Sequence, residues 1–412
     1  MAKFSSDRFP PGFFDLPQSA GETLPLELIA EWTRSAQTLG VARALLGPHT
    51  LRGTLVSSDA AGLTRLTRER PLLEILAMLS QPKELIHAHG RAIGGRSVGI
   101  WAADNTQMFY DARIEPEQVV AMLRTTMQRI AAECELGIGM AAHVGEFYEV
   151  GGGAHGPDAD RVETVAEEHT EGGELLITAE LWSALTNRDA YSTRERRDLE
   201  ATFGGILRVT GGPILTGLDA TDIAYPAPYS SGFSEGLANY TRTRRDSMAP
   251  TQAYQELAVV LIAREREEPD VPEVAVLNNL ALTAAAKRIG SALLLRLDGC
   301  EVKNAGLLSI YTFAQCRDAL EFARGFRRAF AEQDIQCRIG IDVGAVLVFE
   351  LGPGSRDIAG SPVNVASKLA EDVGEFGKIH MTDAVATRAG AKRERTTLQF
   401  TVSGVELRAY DL

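Results

Sequence analysis

The sequence predicts an α+β fold built from two tandem βαββαβ units. Two observations carry that expectation. Stretches that alternate apolar and polar residues, such as 338–348, are separated by stretches of helical period, such as 271–289. This order occurs twice, at a nearly constant offset. Asp59 falls on Arg264 (264 minus 59, or 205), Asp104 on Leu307 (203), Asp160 on Asn364 (204) and Thr178 on Thr382 (204). Such an offset marks an internal duplication. The order also fits antiparallel sheets with helices on one face.

The bulk numbers bound the function. A chain of 412 residues, 45% apolar and 24% charged, suits two or three globular domains with real cores. A net charge of -13 argues against a nucleic-acid partner, so any nucleotide site has to be locally basic. No signal peptide and no apolar run of membrane-spanning length are apparent, so a soluble, cytoplasmic protein is expected. Cys134, Cys300, Cys316 and Cys337 form no CxxC and read as reduced thiols. His87 and His89 form an HxH pair on a helical stretch, read as solvated rather than as a metal site.

Each element follows in order. Residues 1–22 read as an extended arm. Residues 24–46 have the period of one amphipathic helix, which either caps a domain or pairs two chains in a homodimer. The expected domains are 1–48 (arm and helix), 49–225, a polar linker at 226–253, and 254–412. In the first repeat, 54–58 is a strand ended by Asp59, and a helix starts at 60–64. A helix at 72–92, a hairpin at 97–110 tipped by Asp104 and Asn105, and a helix at 116–134 follow. Residues 139–150 read as a second hairpin. The run 151–156, GGGAHG, fits GxGxxG only formally and reads as a turn. A helix at 158–168, a strand at 174–178 and a helix to 185 come next, and 206–209 and 215–218 read as the last strands. The second repeat has a strand at 256–264, a helix at 271–289, a hairpin at 299–313 and a helix at 314–332. Residues 338–348 follow, with a tight bend expected at Gly344. A turn at 352–354, a helix opening at Pro362 and a strand to Thr382 complete it.

Some chemistry can be read from the residues. Asp59 at a strand end and Asp104 at a neighbouring hairpin tip converge if those strands are adjacent. With a backbone carbonyl near Ala60 they suit Mg²⁺ or Mn²⁺. Gly62, Leu63 and Thr64 lie at a helix start, whose N–H groups suit phosphate. Asn364 and Lys368 are four apart and share one helix face.

The residues Arg338, Gly340, Ile341, Gly344, Asp357, Gly360, Val363, Asn364, Ala366, Ser367, Gly377 and Ile379 form a long spaced pattern. It resembles the class III nucleotidyl cyclase homology domain, the adenylate and guanylate cyclase family. The resemblance implies ferredoxin-like domains, here two in tandem packed as an intramolecular pseudo-heterodimer. It implies that Asp59, Gly62, Leu63 and Thr64 are the D-x-x-G-[FL]-T metal and phosphate motif, and that Asp59, Ala60 and Asp104 hold two Mg²⁺ or Mn²⁺ ions. Lys303 and Asp357 then recognise adenine, Asn364 orients the ribose, and Lys368 steadies charge at the α-phosphate. The first repeat has Ile100, Gly153, Asp160 and Thr164 at those four positions, while the second has lost both aspartates. The losses are complementary, which implies one composite site and one degenerate pocket.

The departures from the family pattern are specific. Lys368 replaces a transition-state Arg and lacks its bidentate fork. Gly139 stands where the metal-bearing repeat would carry a phosphate-binding Arg. No Lys is present near Val405, and Arg65, Arg68 and Arg408 are the candidate replacements. The expected activity is a soluble adenylate cyclase, converting ATP to cyclic AMP and pyrophosphate. A nucleotide-binding pseudoenzyme, or an enzyme making another adenine nucleotide, are the alternatives.

Overall fold

The computed structural model describes residues 4–16, 24–61, 70, 72–99, 101, 105–218, 225–226, 232–237, 254–265, 271–350, 356–391, 396–402 and 405–412. The chain divides into two compact units. The first is Leu46–Pro228 with Ser234–Arg245, and the second is Met1–Leu45 and Tyr229–Phe233 with Asp246–Leu412. Among the described residues, no helix is long and apolar enough to cross a membrane.

The first unit is a mixed sheet in the order β2-β3-β1-β4-β6-β8-β7, with β5 paired to β4. Its strands are β1 (Thr50–Ala60), β2 (Arg96–Ser97), β3 (Thr106–Asp111), β4 (Ile138–Val150), β5 (Gly153–His155), β6 (Leu175–Thr178), β7 (Ser192–Glu195) and β8 (Ile206–Gly211). Only β4 and β6 run parallel among these pairings. The helices cover both faces of the sheet, not one. Leu72–Ala92 packs against the β3 residues Met108 and Tyr110. A Cβ at its Gly90 would meet Met108 Cε at 2.4 Å, so glycine is what lets helix and sheet approach. On the opposite face, Pro157–His169 buries Ala159, Val162, Val165 and Ala166 against Leu55, Phe109, Ala141 and Phe147.

The second unit repeats this plan in the order β10-β11-β9-β12-β14-β16-β15, with β13 paired to β12. The strands are β9 (Tyr254–Arg264), β10 (Gly299–Ala305), β11 (Leu308–Phe313), β12 (Cys337–Glu350), β13 (Arg356–Ala359), β14 (Ile379–Thr382), β15 (Thr396–Val402) and β16 (Val405–Asp411). We number the helices in chain order: α1 (Leu26–Arg34), α2 (Leu39–Leu46), α3 (Leu72–Ala92), α4 (Pro116–Glu133), α5 (Pro157–His169), α6 (Ala179–Ala184), α7 (Pro272–Leu294), α8 (Cys316–Ala331), α9 (Ser361–Ser367) and α10 (Asp383–Ala389). One face of the second sheet packs on α8 through Val260, Ile262, Ile339, Phe322 and Phe326. The other packs on α9 through Val259, Leu261, Ala263 and Ala366.

Several expectations change. Residues 139–150 are one strand, not a hairpin, and Gly344 lies in a strand with no bend. Both glycines serve close packing. A Cβ at Gly145 would meet Asp158 Oδ2 at 2.2 Å, and one at Gly344 would lie 3.1 Å from Pro362 Cγ. The chain reverses instead at Gly151 and Gly152, at φ 61 and 80, which glycine alone adopts cheaply. The last strands of the first unit are β7 and β8. Residues 215–218 form no strand, and the Leu215 N–H donates to Thr125 Oγ1 on α4 at 2.8 Å. The helix expected at 24–46 is two helices, broken where Gln37 takes φ 50 and Ser35 Oγ caps the Trp32 carbonyl at 2.7 Å. The apolar face of α1 (Leu26, Ile29, Trp32) is buried within the second unit, where α1 packs on α7. His87 and His89 are buried, not solvated. His87 lies edge-on to Trp101, and His89 Nδ1 meets Thr126 Oγ1 at 2.9 Å.

The pairing register also corrects one anchor of the duplication. Asp59 stands opposite Gly139, and Ala60 opposite Ile138. Ala263 stands opposite Arg338, and Arg264 opposite Cys337. The β4–β6 and β12–β14 registers make Met140 equivalent to Ile339. Asp59 therefore corresponds to Ala263 (263 minus 59, or 204), and Arg264 to Ala60. Side chains alternate along a strand, so this single step moves Arg264 to the other face of the sheet.

Candidate functional site

In the first unit, Asp59 is half-buried at the end of β1. Thr106 pairs with Ser58, so β3 begins beside that same end. Ser58 Oγ and Thr106 Oγ1 hold the two strands together at 2.6 Å. Gly62, Leu63, Thr64 and Asp104 lie outside the described residues, as do Arg65, Arg68 and Ile100. The Asp59 carboxylate and the Ala60 carbonyl are hard oxygen donors and fit a hard divalent cation. Among the described residues no group of three metal-binding side chains is assembled.

The register also explains a missing cation. Gly139 occupies the place that Arg338 holds in the second unit. A Cβ there would fall 1.9 Å from Thr170 Oγ1. An arginine at 139 would have to displace that threonine.

A buried cation braces the hairpin in each unit. In the first it is Lys83 of α3, 3% exposed, whose Nζ donates to the Trp101 carbonyl at 3.3 Å. In the second it is Arg264 of β9. Its guanidinium donates to Asn279 Oδ1 (2.9 Å), Thr283 Oγ1 (3.1 Å) and the Gly306 carbonyl (3.0 Å). Arg264 is thus spent on α7 and the β10–β11 turn, and is not directed to a pocket on the α9 face.

In the second unit, Lys303 and Asp357 are brought together. A register irregularity between Glu301 and Lys303 re-aims β10 at that point. β13 folds back from β12, and its Ile358 shares a core with Val302 and Ile310. Their neighbours Asp357 and Lys303 come within electrostatic reach. Burial pushes the Asp357 carboxyl above the usual range, and Lys303 and the Ile358 N–H, donating at 2.8 Å, pull it partly back. Lys303 itself is exposed. Gly153 is the counterpart of Asp357 by register, since Gly153 faces Val150 as Asp357 faces Phe349.

Asn364 is exposed in the first turn of α9. The Lys368 N–H donates to the Asn364 carbonyl, so the two share one helix face. Lys368 Nζ pairs with Asp372 at 2.5 Å. From Lys368 to Val373 the helix widens to a π-helix, a form often found at functional sites. Two neighbours, Glu371 and Phe376, were not singled out from the sequence. Glu371 accepts from Ser367 Oγ and lies near Arg338 and Lys303, and burial raises its carboxyl above the usual range. Arg338 stacks over Phe376 at 4.5 Å. The Ser367–Glu371 spacing of four was the available signal. Arg408 is exposed on β16, five strands from β10 in the sheet order.

Residues 287–407 match the adenylate and guanylate cyclase catalytic domain. That match lies within the second unit, which is therefore the part of the chain similar to a nucleotidyl cyclase catalytic domain. Among curated proteins none matches this sequence. Three solved structures are similar to the chain. A class III adenylyl cyclase-like ATP-binding protein from Pseudomonas aeruginosa shares 11% identity and a TM-score of 0.52, over 82% of this chain and 85% of that one. The adenylyl cyclase CyaB from P. aeruginosa shares 18% identity at a TM-score of 0.33, over 38% of this chain and 93% of its own. An adenylate/guanylate cyclase/hydrolase from Silicibacter pomeroyi shares 24% identity at a TM-score of 0.32, over 38% and 96%. The first likeness is one of fold, and it runs through both units.

Proposed function

We propose that this protein is an adenylate cyclase, converting ATP to cyclic AMP and pyrophosphate. The observation that carries the reading is the half-buried Asp357 beside Lys303 in the second unit. A carboxylate there accepts from the exocyclic amine of adenine, while Lys303 donates to a ring nitrogen. Guanine would set its carbonyl oxygen against the Asp357 carboxylate, so adenine is selected. Asn364 orients the ribose. Lys368 exchanges Asp372 for the α-phosphate and supports the charge that develops there.

Asp59, Asp104 and the Ala60 carbonyl would hold Mg²⁺ or Mn²⁺. When bound, such ions lower the pKa of the 3′-hydroxyl and fix the phosphates for in-line displacement. The second unit offers Ala263 and Leu307 at the matching positions and has no carboxylate for this role. The residues that the two units retain are therefore complementary.

The test is mass spectrometry of the products after incubation with each nucleoside triphosphate and Mn²⁺, beside Asp59→Asn and Asn364→Ala proteins. Cyclic AMP from ATP, lost in both variants, is expected. Cyclic GMP in preference, or full activity in either variant, would sink the assignment. No product from any nucleotide, with ATP still bound by calorimetry, would make the protein a nucleotide-binding pseudoenzyme.

A further inference from the structure

Arg317, Arg324 and Arg328 lie on one stripe of α8, at spacings of seven and four. With Arg296, just past the end of α7, they line a groove of about 890 Å³ on the second unit. Part of its lining is aliphatic. Leu320 is buried, Leu293 and Leu297 are half-buried, and Gly325 admits Leu293 because a Cβ there would lie 2.8 Å from Leu293 Cδ2. Ala389, Gly390 and Ala391 also line it. The groove includes two carboxylates, Glu321 and Asp411, against the four guanidinium groups.

These arginines stand out because the chain is acidic. Elsewhere its carboxylates take up cations: Arg43 pairs with Glu273, Arg52 with Glu146, Arg96 with Glu149 and Arg388 with Glu256. Among the described residues, Arg296, Arg317, Arg324 and Arg328 make no side-chain hydrogen bond or ion pair. With a net charge of -13, four adjacent unpaired guanidinium groups beside an aliphatic lining are a local reversal of the chain's own chemistry.

We propose that this groove docks an acidic, amphipathic helical segment of a partner protein. The stripe from Arg317 to Arg328 is about 16 Å long at 1.5 Å per residue. One phosphate group spans far less than that, and a bare polyanion would leave the aliphatic lining exposed to water. A helix with leucines along one face and glutamates flanking them covers both features: its anchors cover the aliphatic lining and its carboxylates meet the arginines. The partner is identified by that pattern of charge and aliphatic anchors. The docking face belongs to the second unit alone and uses none of Lys303, Asp357, Asn364 or Lys368.

The experiment is fluorescence anisotropy of the full chain with a fluorescein-labelled synthetic 16-residue helix, leucine on one face and glutamate on its flanks. Binding that weakens with added salt, and by about tenfold in Arg317→Gln/Arg324→Gln/Arg328→Gln but not in Arg52→Gln, is expected. A photoreactive leucine analogue at the central anchor should cross-link to α7 or α8 beside the groove. The proposal falls if the triple variant binds as well as the parent, or if the cross-links map elsewhere. It also falls if inorganic tripolyphosphate competes as strongly as the peptide, which would mark a small-anion site, or if no binding appears up to about 1 mM.

Discussion

Trp32 Nε1 donates a hydrogen bond to Asn278 Oδ1 at 3.0 Å, with both residues buried. They are 246 positions apart, and the bond ties α1 to α7. Replacing Trp32 by Phe keeps most of the apolar area but leaves a buried Asn acceptor unpaired. The loss should be about 1–3 kcal/mol, read as a lower denaturant midpoint. Asn278→Leu added to the Phe variant should recover part of it. A single variant as stable as the parent would mean that α1 is not part of the second unit's core.

Lys83 holds the Trp101 carbonyl, three residues before Asp104 in the sequence. Lys83→Met keeps the stem and removes the ammonium. If Asp104 is a metal ligand, the Mn²⁺ concentration for half-maximal cyclase activity should rise about tenfold, with a smaller fall in the maximal rate, as is usual for groups that orient ligands. A lower rate at unchanged metal dependence would instead place Lys83 in a purely structural role.

Asp342 is half-buried, and that burial raises its carboxyl above the ordinary range although Thr382 Oγ1 donates to it at 2.6 Å. The folded chain then holds this proton more tightly than the unfolded chain. The stability so contributed is complete below the ordinary carboxylate pKa of about 4 and is lost as pH rises through the folded value. Asp342→Asn keeps an acceptor for Thr382 without that penalty. Its melting temperature should exceed the parent's at pH 7 and converge with it near pH 4, and each tenfold change in proton affinity is worth about 1.4 kcal/mol. A gap that widens toward low pH would reverse the assignment.

Gly139 and Thr170 compete for one space. Gly139→Arg alone should destabilise the first unit by about 1–3 kcal/mol through overpacking. Adding Thr170→Gly, which imitates Gly374 beside Arg338 in the second unit, should relieve most of that loss. Additive losses in the double variant, measured by thermal melting, would show that the two positions do not exchange volume.

Much of this protein was legible from residue order alone. Apolar alternation located β12, and helical period located α3, α4, α7 and α8 to within a few residues, because both patterns are written locally in the chain. The duplication was legible too, with Asp160 and Asn364 each following a glycine, Gly156 and Gly360, whose φ angles are 109 and 145. Glycines misled wherever their reason was long-range. Gly344 read as a bend, and 139–150 as a hairpin, yet Gly344 and Gly145 yield space to Pro362 and Asp158, residues that the chain brings over them only when α9 and α5 dock.

The sequence by itself determined the element order, the two-fold repeat and the residue types that each half retains. Tertiary structure decided the sheet register, which set Ala263 rather than Arg264 against Asp59 and turned Arg264 to the α7 face. It decided that β13 returns to bring Asp357 to Lys303, and that α1 completes the second unit's core. The physical reason is common to all three. Each depends on which face a side chain takes and which distant surface that face meets, and a one-residue step in a strand reverses the answer.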